Sequence, residues 1–264
     1  MTLVEFRFIK VSYKGHVALL TLSCPSRHNC VTADSARELK EACQQIEHDK
    51  RIRAVVITGA GKVFSSGREA YNPPSESATS EDVEGWLDSL RCASALASLP
   101  QPSIAAINGD AVDHGLELAL ACDLRVAART ARLGFTDLAR GAIPWDGGSQ
   151  RLVRLVGKAR TLELLLTQRL IDADEALAVG LVNKVEDDGK GALKSATSLA
   201  SQIAEAAPIA ARYTKEAVYM GKDMTLQQGL RLEADLSFLL QTTEDRKQGV
   251  ESFLSKRKPR FVGR

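Results

Sequence analysis

Glu117 lies within the run Leu116-Glu117-Leu118-Ala119-Leu120. A carboxylate among aliphatic side chains is costly to bury without a partner, so it either faces solvent or is held for a purpose. Burial would raise its pKa toward the range useful for proton transfer. Two glycine-bearing turns could supply a complementary group: VFSSGREA at residues 63–70 and INGDAVDHGLELALACD at residues 107–123, each close behind an apolar run. A turn that leads into a helix presents unpaired N–H groups and the positive end of the helix dipole, and these can stabilise an oxyanion. Taken singly, either turn also reads as plain turn chemistry, since glycine commonly follows a strand.

The elements that must position these groups follow from the hydrophobic pattern. FRFIKVSY and VALLTLS, separated by Lys14-Gly15-His16, predict a hairpin between Phe6 and Leu22. A helix follows, capped by Thr32 or Asp34, with Ala36, Leu39, Ala42, Cys43 and Ile46 at helical spacing. AVVIT at 54–58 is a short apolar run before Gly59 and Gly61, the pattern of a strand buried on both faces. DVEGWLDSLRCASALASL reads as one helix stopping before Pro100 and Pro102, and SIAAING as another buried strand. LELALACDLRVAA carries a helix into a strand, and RLVRLVGKARTLELLLTQ is helical with a break at Gly157. Strand and helix alternate to about residue 185, which predicts α/β with short strands in stacked turns. The long irregular stretch from Arg68 to Ser80 predicts a functional or mobile loop. After Val185 the pattern is helical, with Leu226, Leu230, Leu232, Leu236, Leu239 and Leu240 on faces that a small lone element could not bury.

Composition narrows the function. With 35 Lys plus Arg against 33 Asp plus Glu, the net charge of +2 gives no field suited to nucleic acid or an anionic membrane, so any anion must be bound locally. No apolar run approaches the ~20 residues that span a bilayer, and the start MTLVEFRFIK lacks signal-peptide order, so a soluble, cytoplasmic protein is expected. The five cysteines are scattered and form no CxxC pair, which predicts free thiols and no metal site. INGDAVDHG is not GxGxxG and no P-loop is present, so nicotinamide, flavin and nucleotide cofactors lack support.

In combination these segments are far more specific. Through FSSG, PSIAAING, GLELALACD, GAIPWDGGSQRL, GLVNKV and EDRKQGVESFLSKRKPRF, the sequence resembles the enoyl-CoA hydratase/isomerase (crotonase) superfamily over nearly its full length. The resemblance implies a spiral of stacked ββα turns over residues 1–195, with a helical region at 196–264 for oligomerisation and site closure. It also implies a homotrimer or dimer of trimers, and an acyl-CoA thioester as substrate with no separate cofactor. The implied oxyanion donors are the backbone N–H groups of Arg68, after Gly67, and His114. Glu117 matches the family's catalytic glutamate. Asp137 matches a second one, shorter by a methylene and so by about 1.5 Å of reach.

The chain departs from the family pattern at Arg68, at Asp113-His114 and at Trp145-Asp146, where small residues are usual. Arg68 reads as a solvated loop charge or a clamp for an acidic acyl tail, and His114 as a tolerated turn residue or an added acid/base. Asp137 reads as an acid or a plain turn residue. Trp145 reads as a wall of the acyl pocket or a core residue, and Asp146 as a surrogate acid or a cap for a helix near Ser149. For coenzyme A the matching candidates are Arg27, Lys258 and Phe261. The expected activity is hydration of an enoyl-CoA. The alternatives are isomerisation or C–C hydrolysis in the same superfamily, or an acyl-CoA-binding protein that has lost activity.

Overall fold

The computed structural model describes residues 4–69 and 79–264. Most of the irregular stretch after Arg68 therefore lies outside the described residues. After β1 (Val4–Glu5), strands β2 (Ile9–Lys14) and β3 (Val17–Leu22) form the expected hairpin around Gly15. Helix α1 (Ala33–His48) is capped by Thr32, whose hydroxyl accepts from the Ser35 amide while Ser35 returns the bond. Asp34 sits in the first turn instead, where its charge meets the positive helix end. The five apolar residues at helical spacing are all buried.

Strand β4 (Ala54–Gly59) is buried at every position and runs parallel between β3 and β5 (Ser103–Ile107). The helix expected before Pro100 is in fact two, α2 (Ser80–Leu90) and α3 (Ala93–Ala97). The chain breaks at Arg91-Cys92 because the Cys92 and Ala93 amides donate to Asp146 Oδ2, at 2.7 and 2.6 Å. This cap comes from a distant segment and leaves no local signature.

Next come β6 (Ala111–Val112), α4 (His114–Ala121), β7 (Leu124–Ala128), β8 (Arg132–Gly134) and a 3-10 turn at Asp137–Arg140. Helix α5 (Gly148–Thr167) is broken at Gly157, as its sequence predicts. It is followed by β9 (Ile171–Asp172), α6 (Ala173–Ala178), β10 (Lys184–Glu186) and α7 (Gly189–Ala204). The chain ends in α8 (Pro208–Gly221), α9 (Leu226–Leu240) and α10 (Glu244–Leu254). The strands form a mixed sheet in the order β1-β2-β3-β4-β5-β7-β10 and a smaller one in the order β6-β8-β9.

Each face of the large sheet carries its own core. Val55, Ile57, Ala105, Ile107 and Ala127 pack with residues of α1, α3 and α4, whereas Ala54, Val56, Ile104, Ala106 and Val126 face α7. Helix α7 presents Ala192, Ala196, Ala200 and Ala204 at i,i+4 spacing, a stripe of small side chains that lets it lie close on the sheet. The division expected after residue 195 therefore falls inside a helix that belongs to the core, and the helices that leave it begin with α8. Among the described residues, no helix is long and apolar enough to cross a membrane.

Candidate active site

Two turns are locked together beyond the carboxyl ends of β4 and β5. In the first, the Val31 amide donates to Gly67 O (2.8 Å) and the Glu69 amide to Val31 O (2.9 Å), so the intervening Arg68 N–H is skipped by the ladder. In the second, Val112 donates to Ser65 O at 3.1 Å, which ties the two turns to each other. Gly115 allows a closer approach still: a Cβ on it would lie 2.4 Å from Ser65 O. His114 opens α4, so its N–H has no intrahelical acceptor. Among the described residues, neither the Arg68 nor the His114 amide meets an acceptor.

Asp113 adopts φ 49°, ψ −122°, a conformation that suits glycine and strains other residues. Its own groups hold it there. The Asp113 amide donates to Gly134 O (2.9 Å), and its carboxylate accepts from Thr136 N (2.5 Å), Thr136 Oγ1 (2.9 Å) and Arg140 Nη2 (2.8 Å).

Glu117 is 1% exposed, so of its two readings the structure selects the held one. Its Oε1 accepts from the amides of Asp146 and Gly148, both at 2.9 Å. Its Oε2 is 2.9 Å from His114 Nδ1, in a geometry too poor for a directed ring N–H bond but close enough for strong attraction. The His114 side chain is buried, not a turn residue turned to solvent. Its Nε2 lies 3.6 Å from both Cys92 Sγ and Asp146 Oδ2, and its ring packs against Trp145 with centroids 5.5 Å apart. Burial by itself pushes the imidazole pKa down, but the Cys92 and Glu117 contacts outweigh it and raise it to about 10. The net direction is upward, which favours the protonated ring beside Glu117.

Asp137 is also buried, and Arg68 is not a solvated loop charge. The Arg68 guanidinium, 11% exposed, reaches Asp137 Oδ1 at 3.3 Å and lies 5.5 Å from the centre of the Trp145 ring. Arg140 Nη2 meets the same Asp137 oxygen at 3.0 Å. Burial and the neighbouring Asp113 charge raise the Asp137 pKa, and the two arginines oppose them. Trp145 is half-buried, with Trp86 6.4 Å away, and among the described residues its buried Nε1 meets no acceptor.

Asp146 does not cap the helix near Ser149. Its carboxylate caps α3, its amide holds Glu117, and its carbonyl accepts from Arg151 Nη1 at 2.7 Å. With Oδ2 already taking two amide bonds, it serves as a brace more readily than as an acid. Cys92, His114 and Asp146 bring S, N and O donor atoms within 4.8 Å of one another. Within this cluster Cys92 Sγ and His114 Nε2 are hydrogen-bonded, and Asp146 Oδ2 is already taken up by the Cys92 and Ala93 amides.

The coenzyme candidates divide. Arg27 is exposed and paired with Glu69, directly beside the first turn. Lys258 pairs with Glu205, and the Phe261 carbonyl accepts from Arg53 at 2.8 Å. Arg53 precedes β4, so the tail lies at the opposite end of a six-residue strand, about 20 Å from the turns at 3.3 Å per residue. Within one chain Lys258 and Phe261 do not join the site. Cys92, Thr136 and Arg140 do join it, and of these only Arg140, three residues after Asp137, carries a sequence hint.

The profile of the enoyl-CoA hydratase/isomerase family matches residues 12–264. A Thermus thermophilus protein is 41% identical over 94% of this chain and 98% of its own length. The (E)-benzylidenesuccinyl-CoA hydratase of Thauera aromatica is 37% identical over 97% of this chain and 99% of its own. The crystal structure of an enoyl-CoA hydratase from Bacillus anthracis superposes with a TM-score of 0.92 at 36% identity, covering 98% of this chain and all of that one. The chain belongs to the enoyl-CoA hydratase/isomerase family, with its crotonase fold.

Proposed function

We propose that the protein adds water across the 2,3 double bond of an enoyl-CoA thioester, and removes it in the reverse direction. The observation that carries this reading is the buried Glu117 carboxylate, anchored by two amides one turn away from the unpaired His114 N–H. The N–H groups of Arg68 and His114 hold the thioester oxygen as it becomes an enolate. A preorganised donor of this kind is worth about 3 kcal/mol, so the chemistry requires neither metal nor redox cofactor. Glu117 takes a proton from water as the water oxygen bonds to Cβ and the π electrons move onto the thioester. The enolate then collapses as Cα takes a proton from protonated Asp137, and exchange with solvent returns Glu117 and Asp137 to their starting states. Coenzyme A arrives as part of the substrate, with Arg27 beside its path.

One observation favours a second reading. Asp137 is paired with both Arg68 and Arg140, which suits an idle carboxylate and a one-base isomerisation by Glu117. Incubation with enoyl-, dienoyl- and 3-hydroxyacyl-CoA esters, followed by mass spectrometry, separates the two. A gain or loss of 18 mass units, one water, supports hydration; unchanged mass with shifted absorbance supports isomerisation. Asp137→Asn is expected to lower hydration about 10²-fold or more. A loss below about threefold would leave Glu117 working alone.

We further propose a trimer or dimer of trimers. Leu226, Leu230, Phe238, Phe253 and Leu254 are each more than half exposed, which is too much apolar surface on consecutive helices for an isolated chain. Of the six leucines expected on these faces, only Leu236 is buried within the chain. A monomeric mass at micromolar concentration, by light scattering, would overturn this.

A further inference from the structure

Arg68 is a largely buried cation at the point where the hydratase reading puts the reacting carbons. Its amide holds the thioester oxygen in that reading, and its guanidinium touches the proposed acid Asp137. Among the described residues Asp137 Oδ1 is its one acceptor, and it shares that oxygen with Arg140. Asp113 offers no relief, because its carboxylate is committed to Thr136 and Arg140.

Charge balance then sets a condition. With Asp137 ionised, two guanidiniums face two carboxylates and the cluster is neutral. Donation to Cα requires Asp137 to be protonated, and that leaves Arg68, 89% buried by the complement of its 11% exposure, without an anionic partner. An unpaired buried charge of this kind is strongly destabilising. The Trp145 ring beneath Arg68 adds a second unmet demand, since among the described residues its buried Nε1 donor has no acceptor. A cation and a neutral N–H donor on adjacent side chains are the recognition set for a carboxylate.

We infer that the preferred substrate is an enoyl-CoA whose acyl group itself carries a carboxylate, the half-thioester of an unsaturated dicarboxylic acid, held by Arg68 and Trp145 Nε1. The inference rests on the hydratase reading and deepens it. Substrate binding would exchange the partner of Arg68 from Asp137 to the acyl carboxylate, and Asp137 would then take up the proton it delivers to Cα. The upward pull of burial and Asp113 on Asp137 favours that uptake once Arg68 has turned away.

The test uses pairs of short 2-enoyl-CoA thioesters that differ only in a terminal carboxylate or its methyl ester. The native protein is expected to favour the carboxylate by roughly 10²-fold or more in kcat/KM, because a site with buried donors rejects an analogue that leaves them unpaired. Arg68→Gln keeps the backbone N–H and should shrink that ratio by at least about tenfold, chiefly through KM of the carboxylate member, with Arg68→Lys recovering part of it. Trp145→Phe keeps the ring and loses the N–H, and should lower the ratio even if the Arg68 variants do not fold. Equal or better use of the methyl ester by the native protein, or an unchanged ratio in Trp145→Phe and every soluble Arg68 variant, would overturn the inference alone. If no member of any pair gains water, the hydratase reading fails instead. Calorimetric affinities for the matching saturated thioesters then decide the clamp separately: a carboxylate preference lost in the variants upholds it, and no preference removes it.

Discussion

Replacing Glu117 with glutamine is expected to reduce kcat by roughly 10² to 10⁴-fold, the range for loss of a general base. Glutamine has the same length, and its carbonyl can still accept from the amides of Asp146 and Gly148, so the loop at the start of α5 keeps its anchor. What disappears is the negative charge beside His114. Without it, the upward pull on the imidazole weakens and its titration should move down from about 10, a shift that histidine ring NMR would read. Thioester affinity should change little, since the thioester oxygen is assigned to two backbone donors that the substitution does not touch. Single-turnover rates and calorimetric affinity measure the two effects separately. Undiminished turnover would remove Glu117 as the base and direct attention to His114 and Asp146.

Gly115→Ala should lose both rate and stability. Its Cβ would stand 2.4 Å from Ser65 O, 2.8 Å from Ser65 Cβ and 2.9 Å from Ser65 C, and two of these are backbone atoms that cannot swing aside. The two turns must separate. Overpacking of this kind costs about 1–3 kcal/mol, and a displacement approaching 1 Å in a donor pair can lower the rate about 10²-fold. Gly85→Ala in α2 is the control: its Cβ would meet nothing within 4 Å, so stability should rise by about 0.5–1 kcal/mol with the rate unchanged. Urea unfolding and initial rates check both variants. A Gly115→Ala protein with native turnover would show that close contact between the turns is not what positions the oxyanion donors.

The parts of the molecule that were legible in sequence are those fixed by neighbours along the chain. The face of α1, the fully buried β4 and the break at Gly157 each follow from periodicity or a single residue. The split between α2 and α3 does not, because Asp146, which imposes it, is 54 residues from Cys92. The same limit applies at the site. Glu117 stands out as a lone carboxylate in an apolar run, but Arg68 has no local cue to its contact with Asp137, 69 residues on, so the sequence favours a solvated loop charge. Lys258 and Phe261 were placed by their position in a motif, and a motif carries no information about which end of β4 the tail reaches.

The strained Asp113 also constrains which substitutions its neighbours can accept. Glycine at 113 would relax the backbone but strip Thr136 and Arg140 of their shared acceptor. Loss of Arg140 alone would leave the strained φ with a weaker brace and would change the charge beside Asp137. Neither single step is neutral, although the double change can be, and this is the non-additivity expected of groups in one network. The second turn is thus one unit in which Asp113, Thr136 and Arg140 depend on each other, so a change at any one of them alters the demands on the other two.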